Sequence, residues 1–149
     1  MIAAMSEWDK DLLCGNLDYH RTDRLRGIKR VIDSEIVAMV GFDDFTANSV
    51  QAHIWIKRPH GFSKLFIQEV FRYAFEICDL GIVITVVPCH NTASLELTRR
   101  LGFDRVLTIK DGYALGTDLA IQEMRREKCR WFRQLEVPFG QQIRYPRSA

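Results

Sequence analysis

Arg58-Pro59-His60-Gly61-Phe62-Ser63 is a glycine-bearing turn with an apolar β-type run on one side and a long amphipathic helix on the other. A strand that passes through such a turn straight into a helix leaves the first backbone N–H groups of that helix without intrahelical partners. Those donors, with the positive end of the helix dipole, make a cradle for an anionic ligand such as a pyrophosphate. Gly61 lets backbone approach a ligand closely, Ser63 can add a hydroxyl donor, and Arg58 and Lys64 place positive charge nearby. The pattern is not a Walker loop, because no Gly-Lys-Ser/Thr follows. Nor is it the GxGxxG dinucleotide fingerprint, since Gly61 stands without a glycine partner.

Upstream of the turn, Gly27–Ile32, Glu35–Phe42 and Val50–Ile56 read as three strands. Asp33-Ser34 and Thr46–Ser49 serve as the turns of an antiparallel meander. Residues 6–26 are polar, with Trp8, Leu12 and Leu13 as apolar anchors, and predict a short helix and a loop. Downstream, the period changes. Leu65, Phe66, Val70, Phe71, Ala74, Ile77 and Cys78 recur at three- and four-residue intervals, one apolar stripe on a helix over 63–79 that Asp79-Leu80-Gly81 ends. Ile82–Val87 is an unbroken β-branched run, as expected of a strand covered on both faces of a sheet, closed by Pro88. A second helix is expected over 92–100 with Gly102 as its stop, then a strand over 103–110 and a turn at Asp111-Gly112. Asp118 then caps a last helix carrying Leu119, Met124, Trp131 and Phe132, and residues 134–149 form a C-terminal arm. The order β-β-β-α-β-α-β gives an α+β fold, a mixed central sheet flanked by helices.

A chain of 149 residues, 47% hydrophobic and 27% charged, suits one domain over 1–149 with one core. A net charge of +2 is too small to argue for nucleic-acid binding. Charges interrupt every apolar run before it reaches the length of a membrane span, and no basic leader precedes Met1–Met5, so a cytoplasmic setting is expected. Cys14, Cys78, Cys89 and Cys129 are widely spaced, without a CxxC pair. His60, Cys89 and His90 match no metal-ligand spacing, so no metal is expected.

Arg58–Ser63 resembles the RxxGxG/A pyrophosphate loop of the GCN5-related N-acetyltransferase superfamily, and the long helix and the strand to Pro88 follow in that family's order. Asn91-Thr92-Ala93-Ser94-Leu95-Glu96-Leu97-Thr98-Arg99-Arg100-Leu101-Gly102-Phe103 resembles its second signature: an Asn, a small residue three positions on, and a closing Leu-Gly-Phe. The Asn-Thr-Ala-Ser form is most similar to the ribosomal-protein alanine N-acetyltransferase branch. The resemblance covers about residues 27–120. It implies a GNAT-like acyl-CoA N-acyltransferase fold, acetyl-CoA as cofactor, and transfer of acetyl to a primary amine, with a protein N-terminus as a candidate acceptor. The alternative is a catalytically weak or inactive CoA-binding or structural module.

By the same resemblance, backbone groups of Ile54, Trp55 and Ile56 meet the pantetheine arm, and Arg58, His60, Gly61, Phe62, Ser63 and Lys64 hold the pyrophosphate. Asn91 contacts the pantetheine region, and the strands at 50–56 and 82–87 splay near Pro88 around the acetyl group. Two departures stand out. Thr98 occupies the place where many members carry a Tyr general acid. The region 1–26 is abbreviated where the family has a strand and two helices.

Acetyl transfer to an amine needs a proton acceptor and stabilisation of negative charge on the carbonyl oxygen. His53, which shares a strand face with Trp55, and His90, beside the expected gap, are the base candidates; Glu35 is a third. Each also has a plain structural reading, a hydrogen-bonded spacer for His53 and a helix cap for His90. Backbone N–H near Val86 or Val87 would serve the oxyanion. Tyr113 and Trp55 are candidate walls of an acceptor pocket. Homo-oligomerisation is possible, because the edge of the meander needs cover.

Overall fold

In a computed structural model of the chain, residues 1–133 are described. The expected C-terminal arm, 134–149, lies outside the described residues. The elements run β1 (Ile2–Ala4), α1 (Glu7–Leu17), β2 (Arg26–Ile32), β3 (Glu35–Asp43), β4 (Ser49–Ile56), α2 (Lys64–Arg72), β5 (Ile82–Pro88), α3 (Thr92–Leu101), β6 (Asp104–Ala114), β7 (Thr117–Arg125) and α4 (Arg130–Arg133). A wider helical turn, Tyr73–Ile77, extends α2. The strands form one sheet in the order β1-β2-β3-β4-β5-β7-β6. Every neighbouring pair is antiparallel except β4 with β5.

Local chemistry sets these elements. Asp33 and Ser34 take φ of 49° and 65°, the double positive φ of a hairpin turn that follows the strand twist. Ser6, Ser63 and Asn91 each stand at a helix N-cap and accept a hydrogen bond from the backbone N–H three residues on, worth about 1 kcal/mol apiece. Gly102, at φ 100°, stops α3 in the left-handed region, as expected.

The side chains of β3 and β4 alternate between two faces. Ala38, Val40, Phe42, Val50 and Ala52 join Phe66, Phe71 and Phe75 of the α2 segment in the main core. Met39 and Trp55 face the other way, onto Leu13 of α1 and Met5. Gly41 leaves room for Leu13 on that face; a Cβ there would lie 2.5 Å from Leu13 Cδ2.

Three expectations are corrected. β1 was not anticipated from Ile2–Ala4; it pairs with β2 from Ile2↔Arg30 to Ala4↔Ile28. Asp111-Gly112 does not end the strand, which reverses instead at Leu115-Gly116, with Gly116 at φ 83°. Asp118 caps no helix. Residues 117–125 form β7, slotted antiparallel between β5 and β6, with Ala120, Gln122 and Met124 buried in strict alternation. The Asp118 carboxylate accepts from Asp111 N–H at 3.0 Å and so ties the β6–β7 hairpin. An Asp cap ahead of Leu119 and Met124 suggested a helix, and sheet burial overrode that local signal. Of the last expected helix only α4 is present.

Candidate active site

The β4–β5 ladder holds only three residue pairs, Ser49↔Ile82, Val50↔Val83 and Gln51↔Ile84. Beyond them the strands part. β4 continues to Ile56 against β3, and β5 continues to Pro88 against β7. The backbone of Ala52–Ile56 on the β5 side therefore has no strand partner among the described pairings. A cavity of about 1140 Å³ occupies the opening. Phe62 and Ile67 line its α2 end, Ser94, Leu97 and Leu101 its α3 wall, and Leu17, Tyr19 and Tyr113 the far end.

The turn before α2 is more tightly built than a simple anion cradle requires. A Cβ on Gly61 would lie 2.6 Å from the Val37 carbonyl oxygen, so glycine is demanded by packing on β3. The Gly61 N–H donates to Arg58 O at 2.8 Å. Arg30, on β2, donates to the carbonyls of His60 at 2.7 Å and Gly61 at 3.0 Å, pinning the turn from below. Ser63 Oγ accepts from Phe66 N–H at 3.3 Å, leaving its proton available. Lys64 is exposed at the first position of α2. Arg58 and Lys57 both pair with Glu35, at 2.5 and 2.6 Å. The hydrogen bond from Lys57, with the charge of Arg58, holds the Glu35 carboxyl below its usual range, which suits an ion-pair partner better than a base.

His53 projects from β4 toward the α1 face, opposite Gly41, and lines the cavity. Tyr19 stacks on its ring with centroids 3.8 Å apart. The His53 Nε2 atom is buried and has no hydrogen-bond partner among the described residues. Burial pushes its pKa down, against the opposing pull of Asp43 and Asp44, so the ring is neutral near pH 7. Behind Tyr19 lies Asp43, fully buried at the end of β3. Its carboxylate accepts from Tyr19 Oη at 2.5 Å, Thr22 N–H at 2.8 Å and Asp44 N–H at 2.9 Å, and from Thr22 Oγ1. Burial alone would raise the Asp43 carboxyl; the bonds from Thr22 and Tyr19 outweigh it and hold the group ionised. This cluster fastens the 18–25 loop, which stands where the resemblance leads one to expect a second helix.

The other candidates separate. His90 is exposed at the cavity rim with its ring centroid 5.4 Å from that of Tyr113. Asn91 Oδ1 is committed to the Ser94 N–H at 3.1 Å as the α3 cap. Thr98 is buried; its hydroxyl lies 2.8 Å from Gln122 Oε1 and within 3.1 Å of the Ser94 and Leu95 carbonyls. Ile54 and Ile56 line the cavity, whereas Trp55 packs into the α1-side core. Sequence reasoning missed Arg30, Tyr19 and Asp43. No local pattern linked Asp43 to Tyr19, 24 residues away.

A mixed seven-stranded sheet whose one parallel pair parts around a cleft, with a helix starting at the cleft's end, is the GNAT acyl-CoA N-acyltransferase architecture. Solved structures agree. The spermidine/spermine N-acetyltransferase SpeG from Vibrio cholerae superposes with a TM-score of 0.70 at 14% identity, over 86% of this chain and 95% of that one. The Campylobacter jejuni N-acetyltransferase PseH in complex with acetyl coenzyme A gives 0.62 at 14% identity, over 85% and 99%. A dodecameric spermidine N-acetyltransferase from Vibrio cholerae gives 0.69 at 14%, over 86% and 94%. No family model and no curated protein matches the sequence. At these identities the likeness establishes the fold. None of the three is named for ribosomal-protein substrates, and the finer resemblance rests on Asn91–Phe103 alone.

Proposed function

We propose that this chain is an acetyl-CoA-dependent N-acetyltransferase acting on a primary amine. The observation that carries the reading is the β5-side edge of Ala52–Ile56, without a strand partner among the described residues, beside a large cleft that ends at the N-terminus of α2. The residues fit the cofactor. Main-chain groups of Ile54, Trp55 and Ile56 would pair with its amide-bearing arm, as a strand pairs with an added strand. Ser63, Lys64 and the first N–H groups of α2, on the turn formed by Arg58, His60, Gly61 and Phe62, would hold its pyrophosphate. Arg58 would leave Glu35 or act from a distance. Asn91 would contribute by seating α3 along the cleft.

Bound acetyl-CoA supplies a thioester carbonyl for attack. His53, neutral and partly desolvated, would take the proton that the attacking amine loses, with Tyr19 fixing its ring plane. His90 is the second proton acceptor within the rim. Thr98, its hydroxyl engaged with Gln122, would act as a wall and not as an acid. The resemblance to the ribosomal-protein branch would make the acceptor a protein N-terminus; the geometry bears on that below. Self-association is part of the same proposal: β6 is an edge strand with Val106, Leu107 and Ile109 exposed, and a solution mass equal to one chain would contradict it. No helix among the described residues is long and apolar enough to cross a membrane, and a cytoplasmic setting is proposed.

Calorimetric titration with acetyl-CoA tests the reading. Lys64→Glu reverses an exposed charge without touching the core, and an acidic residue is welcome in a first helical turn. Its affinity should fall about tenfold, the effect of replacing attraction by repulsion at a helix N-terminus. Absence of binding by the folded wild type would move the bet to a structural module.

A further inference from the structure

The end of the cavity opposite α2 has its own chemistry, and an inference from it rests on the acetyl-transfer reading. Two aromatic walls face it. Tyr19, from the α1–β2 loop, lies on His53, and Tyr113, from β6, leans on His90. Leu17 and Leu119 add apolar surface. Asp18 sits at the rim, exposed, and is the only carboxylate among the described residues that line the cavity. Asp43 is turned away and saturated with donors. The cationic lining residues, Arg100 and Arg130, belong to the α3 and α4 side, where Arg130 donates to the Arg100 carbonyl at 2.5 Å.

We propose that the acceptor is a compact monoamine with an apolar or aromatic body, and neither a polyamine nor a peptide N-terminus. An ammonium group is drawn to ring faces and to one rim carboxylate. A polyamine would bring a second cation to a wall whose described residues hold no second carboxylate, and would leave it desolvated and unpaired there. A peptide would bring backbone N–H and C=O groups beside Leu17, Leu119 and the ring faces of Tyr19 and Tyr113, which offer them no partner. The ammonium loses one proton to water on entry, and the neutral nitrogen then forms the C–N bond as the C–S bond breaks. The second proton passes from nitrogen to His53, and the thiolate takes one proton from solvent. One proton is released per turnover.

The experiment measures acetyl-CoA binding by calorimetry first, then free-thiol release with 2-phenylethylamine, isoamylamine, spermidine and an alanine-initiated hexapeptide. Both monoamines should exceed spermidine and the peptide in kcat/KM by about tenfold or more, as expected where unpaired polar groups penalise the wrong substrate. Asp18→Asn keeps a residue that tolerates the left-handed φ of 49° at this position. It should raise the monoamine KM by about two- to fivefold, the range of an exposed charge pair. Tyr113→Ala, at an exposed position, should raise that KM further, and neither variant should change acetyl-CoA affinity. Preference for spermidine or the peptide would overturn the inference. So would acetyl-CoA binding with no monoamine acetylated, or a monoamine KM indifferent to both variants. Failure of acetyl-CoA binding itself would instead strike the transferase reading beneath it.

Discussion

Asp43→Asn should unfasten the loop that holds Tyr19 over His53. The native carboxylate is fully buried and offers two oxygens to four donors, from Tyr19, Thr22 (twice) and Asp44. An asparagine of the same shape keeps one acceptor and turns an NH₂ group toward donors. At least one buried donor is then orphaned, at about 1–3 kcal/mol, and the remaining bonds lose their charge assistance. A total of about 2–4 kcal/mol corresponds to a fall in Tm of roughly 5–15 °C for a domain of this size. The acid dependence follows from the same residue. Its folded-state pKa lies below the usual carboxylate value. Its contribution is therefore fully present above about pH 4, where even the unfolded chain is ionised, and is lost as pH falls through that value toward the folded pKa. Thermal melts of both proteins between pH 3 and 7 should diverge at neutral pH and converge in acid. A variant melting within about a degree of wild type at pH 7 would refute the reasoning, because a shift that small corresponds to less than about 1 kcal/mol. Equal separation at every pH would refute the ionised, donor-saturated carboxylate.

Two other substitutions separate binding from chemistry. His53→Gln should lower kcat by about a hundredfold or more while leaving acetyl-CoA affinity unchanged, the usual weight of a positioned base. The wild-type rate should rise with pH through a midpoint below the ordinary imidazole value, because burial outweighs Asp43 and Asp44 around a ring covered by Tyr19. Persistence of that profile in the variant would assign the proton to His90 or solvent. Gly61→Ala places a methyl group against the Val37 carbonyl, two backbone segments that cannot yield cheaply. It should cost about 1–3 kcal/mol, read as a lower urea midpoint, before any effect on cofactor binding. An unchanged midpoint would mean that the turn is looser than its contacts imply.

The elements on either side of the Arg58–Ser63 turn were legible because each obeys one local rule. The stripe from Leu65 to Cys78 has one period, Ile82–Val87 is uniformly β-branched, and Asn91 and Gly102 bracket a helix with a cap and a stop. The C-terminal third was not, because β7 mixes Asp118, Gln122, Glu123 and Arg125 into a strand buried on alternate positions. Only its neighbours β5 and β6 make those residues a strand. The splay was implied by resemblance and is visible only in the pairing, where Gln51↔Ile84 is the last rung. Gly61 was legible as a glycine of a tight turn, but the contact that demands it, a β3 carbonyl 24 positions upstream, was not. The Tyr19–Asp43–His53 cluster is built from three separate segments, and no spacing within any one of them announces it.

The central claim is that the open edge of β4 receives acetyl-CoA. Amide hydrogen exchange, with and without saturating acetyl-CoA, reads that edge directly, since backbone groups that gain partners become protected. Peptides covering 52–57 and the start of α2 should slow on addition of the cofactor, while β1–β2 peptides stay unchanged. Binding that protects other segments and leaves 52–57 exchanging at the same rate would contradict the claim.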